Sequence, residues 1–214
     1  MRLGCFGCTA VLGLGVALAA GALGAGWVIA RSLDDPQVSA PATRPEDGAR
    51  VQQKLFEILR RGRAREAAEP IVLSEGEVNA LVTRHLAENT LAFRTPFVRL
   101  LGDDVIEFTG QLPLARLLDE PLLAAVAEMM PERWRRRPVW VRARARVRLE
   151  VDGRRYLRAD VETFALGRQW MPVALARLLL DPASLTLLRT RLPDAVGAVT
   201  VAHGRVVIRP GSAR

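Results

Sequence analysis

Cysteine is almost absent from this chain: Cys5 and Cys8 are the only two among 214 residues, and both precede a long apolar run. No disulfide can therefore staple the rest of the chain. Their CxxC spacing lacks the second ligand pair of a zinc site and the βαβ setting of a redox motif. Lying ahead of the apolar run rather than behind it, they do not make a lipoprotein signal either, and they read as small membrane-edge residues. Histidine is equally scarce, with only His85 and His203, so a zinc site of the usual composition is close to excluded. No GxSxG, HExxH, GxGxxG or Walker-type loop is present, and no cofactor motif takes their place. Lysine is represented by Lys54 alone.

Arginine is plentiful. It supplies nearly all of the 31 basic residues, which exceed the 23 acidic ones to give a net charge of +8 and a pI near 11.1. Such a balance points to an acidic partner: nucleic acid, anionic lipid or a polyanionic wall polymer. The preference for arginine over lysine fits a GC-rich coding composition as well as it fits bidentate phosphate binding.

Between Leu3 and Ala30 there is no charged side chain. That run exceeds the roughly 20 residues a helix needs to cross the hydrocarbon core and the roughly 7–15 apolar residues of a cleaved signal. Residues 1–30 are thus predicted to be a transmembrane anchor, although Ala17-Leu18-Ala19 also offers a peptidase-type site. Trp27 suits the headgroup boundary, and Ala17, Gly21 and Ala25 form a small-residue row that would let two such helices approach closely. Arg2 and the amino terminus favour a cytoplasmic start, with the remainder exported; Arg31, followed by Asp34 and Asp35, flanks the other end.

Residues 31–49 hold Pro36, Pro41 and Pro45 and read as a semi-extended linker. Residues 50–69 are predicted to be helical, with Val51, Leu55, Ile58 and Leu59 on one face and fraying at Gly62. A domain over residues 70–210 comes next. Ile71 to Leu73 forms a brief strand. Ser74 and Glu77 make a capping box for a helix that places Val78, Leu81, Val82, His85 and Leu86 on one face. Capping already accounts for Ser74 and Glu77, and His85 lies about three turns beyond Ser74, so these residues are not a catalytic triad.

Period-two patterning takes over at residues 97–101 and 105–112, a hairpin turning at Gly102-Asp103-Asp104 with Ile106, Phe108 and Gly110 facing inward. A helix started by Pro121 presents Leu122, Leu123, Val126, Met129 and Met130 as a broad apolar face. A long hairpin at 139–166 turns at Gly153, and a helix at 172–180 carries Leu178 and Leu179. Another short helix is expected at 183–192, before a last hairpin turning at His203-Gly204.

The stretch VWVRARARVRLEVDGRRY, residues 139–156, sets Arg142, Arg144, Arg146 and Arg148 on every second position. Placing Val147 opposite Val161 and Leu149 opposite Ala159 brings the apolar faces together. The other face then pairs Glu150 with Arg158, Arg148 with Asp160, and Arg146 with Glu162. Each such pair contributes roughly 0.2–1 kcal/mol, and a one-residue slip would turn every apolar side chain outward. The ladder is therefore a solvated sheet face rather than a phosphate track. Arg142 and Arg144 are left without acids, as is the cluster Arg133, Trp134, Arg135, Arg136 and Arg137.

The expected fold is α+β: an N-terminal transmembrane helix, then antiparallel hairpins forming a curved sheet packed on helices. LSEGEVNALV, the two long hairpins, GRQWMPVALARLL and VTVAHGRVVIR, together spanning about residues 70–210, resemble the YpmS-like group of membrane-anchored bacterial proteins. More loosely they are similar to LmeA-type and tubular lipid-binding domains, in which a curved sheet wraps a long helix. The resemblance implies a single-pass protein of the bacterial cytoplasmic membrane with its domain outside the cytoplasm, and it brings no catalytic residue with it.

Two binding roles fit. One is a non-enzymatic scaffold or partner-binding module that meets an envelope protein or polymer through Arg133–Arg137, where guanidinium charge and Trp134 combine. The other is a lipid-binding domain whose apolar groove is lined by Leu122, Leu123, Val126, Met129, Met130, Leu178 and Leu179. Nucleic-acid binding is disfavoured by the paired ladder and the exported location. Asp103-Asp104 and Asp119-Glu120, the adjacent acids an enzyme could use, have a turn and a helix start to explain them.

Overall fold

The computed structural model describes residues 30–64, 69–88, 93–118, 131–152, 154–174 and 189–211, together with residues 24, 27, 128 and 176. In chain order the elements are α1 (Asp47–Ala64), β1 (Ile71–Ser74), α2 (Glu75–Glu88), β2 (Arg94–Gly102), β3 (Val105–Pro113), α3 (Leu114–Leu118), α4 (Glu132–Arg135), β4 (Pro138–Asp152), β5 (Arg154–Leu166), β6 (Gln169–Met171), β7 (Arg189–Arg191), β8 (Val196–Ala202) and β9 (Arg205–Pro210). The class is α+β, with every strand pair antiparallel. Instead of one curved sheet there are two: β2-β3-β4-β5-β6, with β7 also on β5, and a smaller β1-β9-β8.

Helix α1 starts at Asp47, earlier than the apolar spacing predicts. The Asp47 carboxylate accepts the Arg44 amide at 2.8 Å and pairs with the Arg50 guanidinium at 2.5 Å, satisfying a free amide at the helix entrance. Val51 and Ile58 are buried from this helix. The capping box forms as expected: Ser74 N–H donates to Glu77 Oε2 at 2.8 Å, and Glu77 N–H donates to Ser74 Oγ at 3.3 Å. The entrances of α1 and α2 abut, and a Cβ at Gly76 would stand 2.5 Å from Asp47 Oδ2. Leu86 is buried on α2, whereas His85, placed on the same face by its spacing, is exposed.

Helix α2 also closes the open edge of the large sheet. The Asn79 side chain donates to Val98 O at 2.8 Å and accepts from Val98 N–H at 2.6 Å, and Glu75 Oε2 accepts from Leu100 N–H at 2.7 Å. One amide side chain thus imitates a neighbouring strand, a recognised way to blunt an edge. At the β2–β3 turn, Asp103 and Asp104 both take positive φ, at 52° and 59°, as a tight hairpin requires. Asp104 N–H donates to Val201 O, Asp104 Oδ1 accepts from Val201 N–H, and Asp104 O accepts from Val147 N–H. The tip therefore joins the small sheet to β4.

The β4–β5 register differs by two residues from the predicted one. Val147 faces Ala159, Leu149 faces Leu157 and Arg148 faces Arg158, with a bulge beside Arg144. An even slip keeps the apolar faces together, so hydrophobic patterning alone does not select between the two registers. On β3 the expected inward face is only half-buried at Ile106 and Phe108, while Glu107 and Thr109 on the opposite face are buried. Residues 189–191, expected to be helical, form β7, because their backbone completes the edge of β5 along Tyr156–Arg158. Trp170 and Met171 likewise belong to β6 rather than to the helix that follows Pro172.

Two apolar clusters make the core. One gathers Val51, Ile58, Ile71, Leu73, Val98, Leu100, Val147, Val196, Val201 and Val206 between the two sheets and α1. The other, at the opposite end of the large sheet, holds Leu112, Val139, Val141, Phe164, Leu166 and Ala176, with Leu33 packed against it.

Leu33 belongs to the predicted linker, and the first part of that segment is pinned to the domain. Residues 30–33 are helical. Arg168 N–H donates to Arg31 O at 2.9 Å, Arg137 donates to Leu33 O at 3.4 Å, and Trp140 Nε1 donates to Asp35 at 2.9 Å. Gly167 has φ +54°, and a Cβ there would collide with the carbonyls of Ser32 and Asp34, so glycine is needed both for conformation and for this close approach. Among the described residues no helix is long and apolar enough to cross a membrane. Residues 1–23, most of the predicted anchor, lie outside them.

Candidate functional site

The strands present one continuous face of arginines. Toward the β4–β5 tip these are matched by acids: Arg146 to Glu162 at 2.6 Å, Arg148 to Asp160 at 4.0 Å, and Arg158 to Glu150 at 3.8 Å. These are the three partnerships expected from the sequence, but the two-residue shift in register makes them diagonal rather than directly opposed. Arg158 also meets Asp160 at 2.8 Å, and Arg189 of β7 reaches Glu150 at 3.3 Å and lies over the Tyr156 ring at 4.4 Å. Screened pairs of this exposure contribute little individually. Their effect is to offset most of the ladder's charge, with Glu162, Asp160 and Glu150 set against Arg146, Arg148, Arg158 and Arg189.

Arg142 and Arg144, expected to be unmatched, both have partners. Arg144 sits directly across from Glu107 of β3 and pairs with it at 2.7 Å. Glu107 is 4% exposed, so the pair also explains how that strand tolerates a buried carboxylate. Arg142 lies over the Trp170 ring at 4.9 Å. Beside it Thr109 Oγ1, Arg142 Nε and Thr163 Oγ1 are buried without a hydrogen-bond partner.

The predicted basic patch forms the near end of the sheet. Glu132–Arg135 make the single turn α4, Arg136 pairs with Glu132, and Trp134 is 39% exposed. The Arg137 carbonyl accepts from Leu114 N–H, fixing the patch against the start of α3. Arg133 and Arg168 are exposed and form no ion pair among the described residues. Sequence reasoning found Arg133–Arg137 from their adjacency but missed what surrounds them. Trp140, Arg168, Trp170 and the segment 31–35 all arrive at this end through strand topology.

The proposed groove positions Leu122, Leu123, Val126, Met129, Met130, Leu178 and Leu179 lie outside the described residues. Several of the described carboxylates have structural work. A backbone hydrogen bond from Arg44, reinforced by Arg50, holds Asp47 below the usual carboxylate range against the opposing effect of burial. Burial pushes Glu77 upward, but the Lys54 ammonium at 2.8 Å and the Ser74 amide outweigh it and leave its pKa lowered. Asp104 bonds the small sheet, and His203 is an exposed turn residue with its ring 3.4 Å from Leu101 O. No group of His, Cys, Asp or Glu able to hold a metal occurs among the described residues. In comparisons with known proteins, no family model, no curated protein and no solved structure matches this chain.

Proposed function

We propose that this chain is a single-pass membrane protein of the bacterial cell envelope whose α+β domain works by binding, as a scaffold or partner-binding module held outside the cytoplasm. The observation that carries the reading is the docking of residues 31–35 onto the near end of the large sheet, through Arg168, Arg137 and Trp140. An uncharged run of membrane-spanning length leads straight into that contact, so an anchor there would hold the domain at a fixed attitude instead of on a loose tether. The basic residues Arg133, Arg135, Arg136 and Arg137 are the contact rim. Asp47, Glu77, Asp104 and Glu107 are committed to helix entrances, a turn and an ion pair.

The test is fractionation of the full-length chain followed by protease treatment of spheroplasts. Retention in the pellet after alkaline extraction, with the domain degraded from outside, is the expected result. Recovery of the intact chain from the cytosol would overturn the reading. Charge reversal at Arg133 and Arg136 should strip partners that co-purify with the native chain, and an unchanged set of partners would remove the rim from the proposal.

A further inference from the structure

All four tryptophans of the chain, Trp27, Trp134, Trp140 and Trp170, gather at the end of the domain that residues 31–35 touch. Trp140 bonds Asp35, Trp170 belongs to the strand that follows the Arg168 contact, and Trp134 sits in the turn leading into β4. Trp27, Trp134 and Trp170 are 56%, 39% and 49% exposed, although an indole ring in a globular domain is ordinarily far more buried. Arginines are interleaved with them: Arg31 over Trp27 at 4.5 Å, Arg142 over Trp170, then Arg133, Arg136, Arg137 and Arg168. Exposed indoles alternating with guanidiniums are the composition of a surface that sits in lipid headgroups.

The distances leave the domain little choice. A bilayer carries roughly 5–7 Å of headgroup layer on each side of its hydrocarbon core. A helix climbs only about 4.5 Å over three residues, the interval from Ala30, the last residue of the uncharged run, to Leu33. Arg168 and Arg137 already meet the chain at Arg31 and Leu33. We infer that the arginine–tryptophan end of the domain lies within the headgroup layer of the chain's own membrane and binds anionic phospholipid there. The inference rests on the reading of residues 3–30 as a membrane span and adds the partner. The nearby acids do not cancel the patch: Asp34, Asp35 and Glu132 are three carboxylates against the six guanidiniums of Arg31, Arg133, Arg135, Arg136, Arg137 and Arg168.

The experiment uses the full-length protein in liposomes of phosphatidylglycerol brominated on its acyl chains, with native tryptophan emission as readout. W27F, W134F and W170F each replace one exposed ring conservatively. Each is expected to remove a share of the quenching. The double variant R133E/R168E should abolish the shares of Trp134 and Trp170 while sparing that of Trp27. With about fivefold per arginine near an anionic surface, it should lower the docked-to-undocked ratio roughly twentyfold or more. Quenching carried by Trp27 alone would overturn the proposal and leave the anchor intact. Equal quenching in neutral brominated phosphatidylcholine would overturn the choice of anionic lipid. Loss of the Trp27 share itself would overturn the anchor and this inference together.

Discussion

Toward the tip of the β4–β5 hairpin, Arg146, Arg148, Arg158 and Arg189 each have a carboxylate within reach. At the other end of the same strands, Arg142 lies over Trp170, and Arg133 and Arg168 pair with no acid among the described residues. The alternating Arg-x-Arg spelling is common to both ends of β4, so spelling does not decide what an arginine does. Neighbouring strands decide it. The far end is charge-compensated sheet surface, and the near end is positive, aromatic and joined to the segment that leaves the domain.

That contrast is sharpest midway along the ladder, where the largest effect is expected. R144A strands Glu107 in a buried position, and breaking such a pair from one side costs about 3 kcal/mol. A fall in Tm of about 6–12 °C by scanning calorimetry is the expected outcome. Next, G167A forces a positive-φ residue against the Ser32 and Asp34 carbonyls, at a cost on the order of 1–3 kcal/mol. Faster trypsin cleavage after Arg31 and Arg44, with the sheet intact by circular dichroism, would show that the near-end contact alone has been released.

Acid tests the helix entrances beside the compensated half. Asp47 and Glu77 both have folded-state pKa values below their ordinary ones. Their contribution is therefore present above the unfolded values near 4 and is lost as pH falls through the folded ones. The melting temperature should hold between about pH 7 and 5, drop below about pH 4, and drop less steeply in E77Q. Smaller still, E162Q removes the exposed partner of Arg146 at a cost of about 0.2–1 kcal/mol, an effect that added salt should erase. Least of all, R133A should change stability by less than about 0.5 kcal/mol; a larger loss by urea titration would show that the near-end arginine is structural.

The three hairpins, the capping box and the helix before it were legible because each is written in a local run: alternating residues around Gly102-Asp103-Asp104, Gly153 and His203-Gly204, and Ser74 three residues ahead of Glu77. The ion-pair partners of the ladder were legible too, because arginine reaches diagonal neighbours about as readily as opposed ones. Their register was not, since a two-residue slip preserves both faces. The Glu107–Arg144 pair and the β7 strand had no local signature, for each depends on which backbone lies alongside. The tryptophan end illustrates the same limit: Trp27, the pair Trp134 and Trp140, and Trp170 are far apart in sequence and come to one end only after the large sheet has folded. The basic run Arg133–Arg137 was visible, but its aromatic company was not.

Asp104 receives Val201 N–H on its carboxylate and gives its own carbonyl to Val147 N–H. One two-residue bend thereby adds a hydrogen-bonded tie to the apolar core that the two sheets already share. Heat or denaturant should accordingly take them apart in one cooperative step, and D104A, which removes the carboxylate's bond but keeps both backbone ones, should lower the midpoint of that step without splitting it.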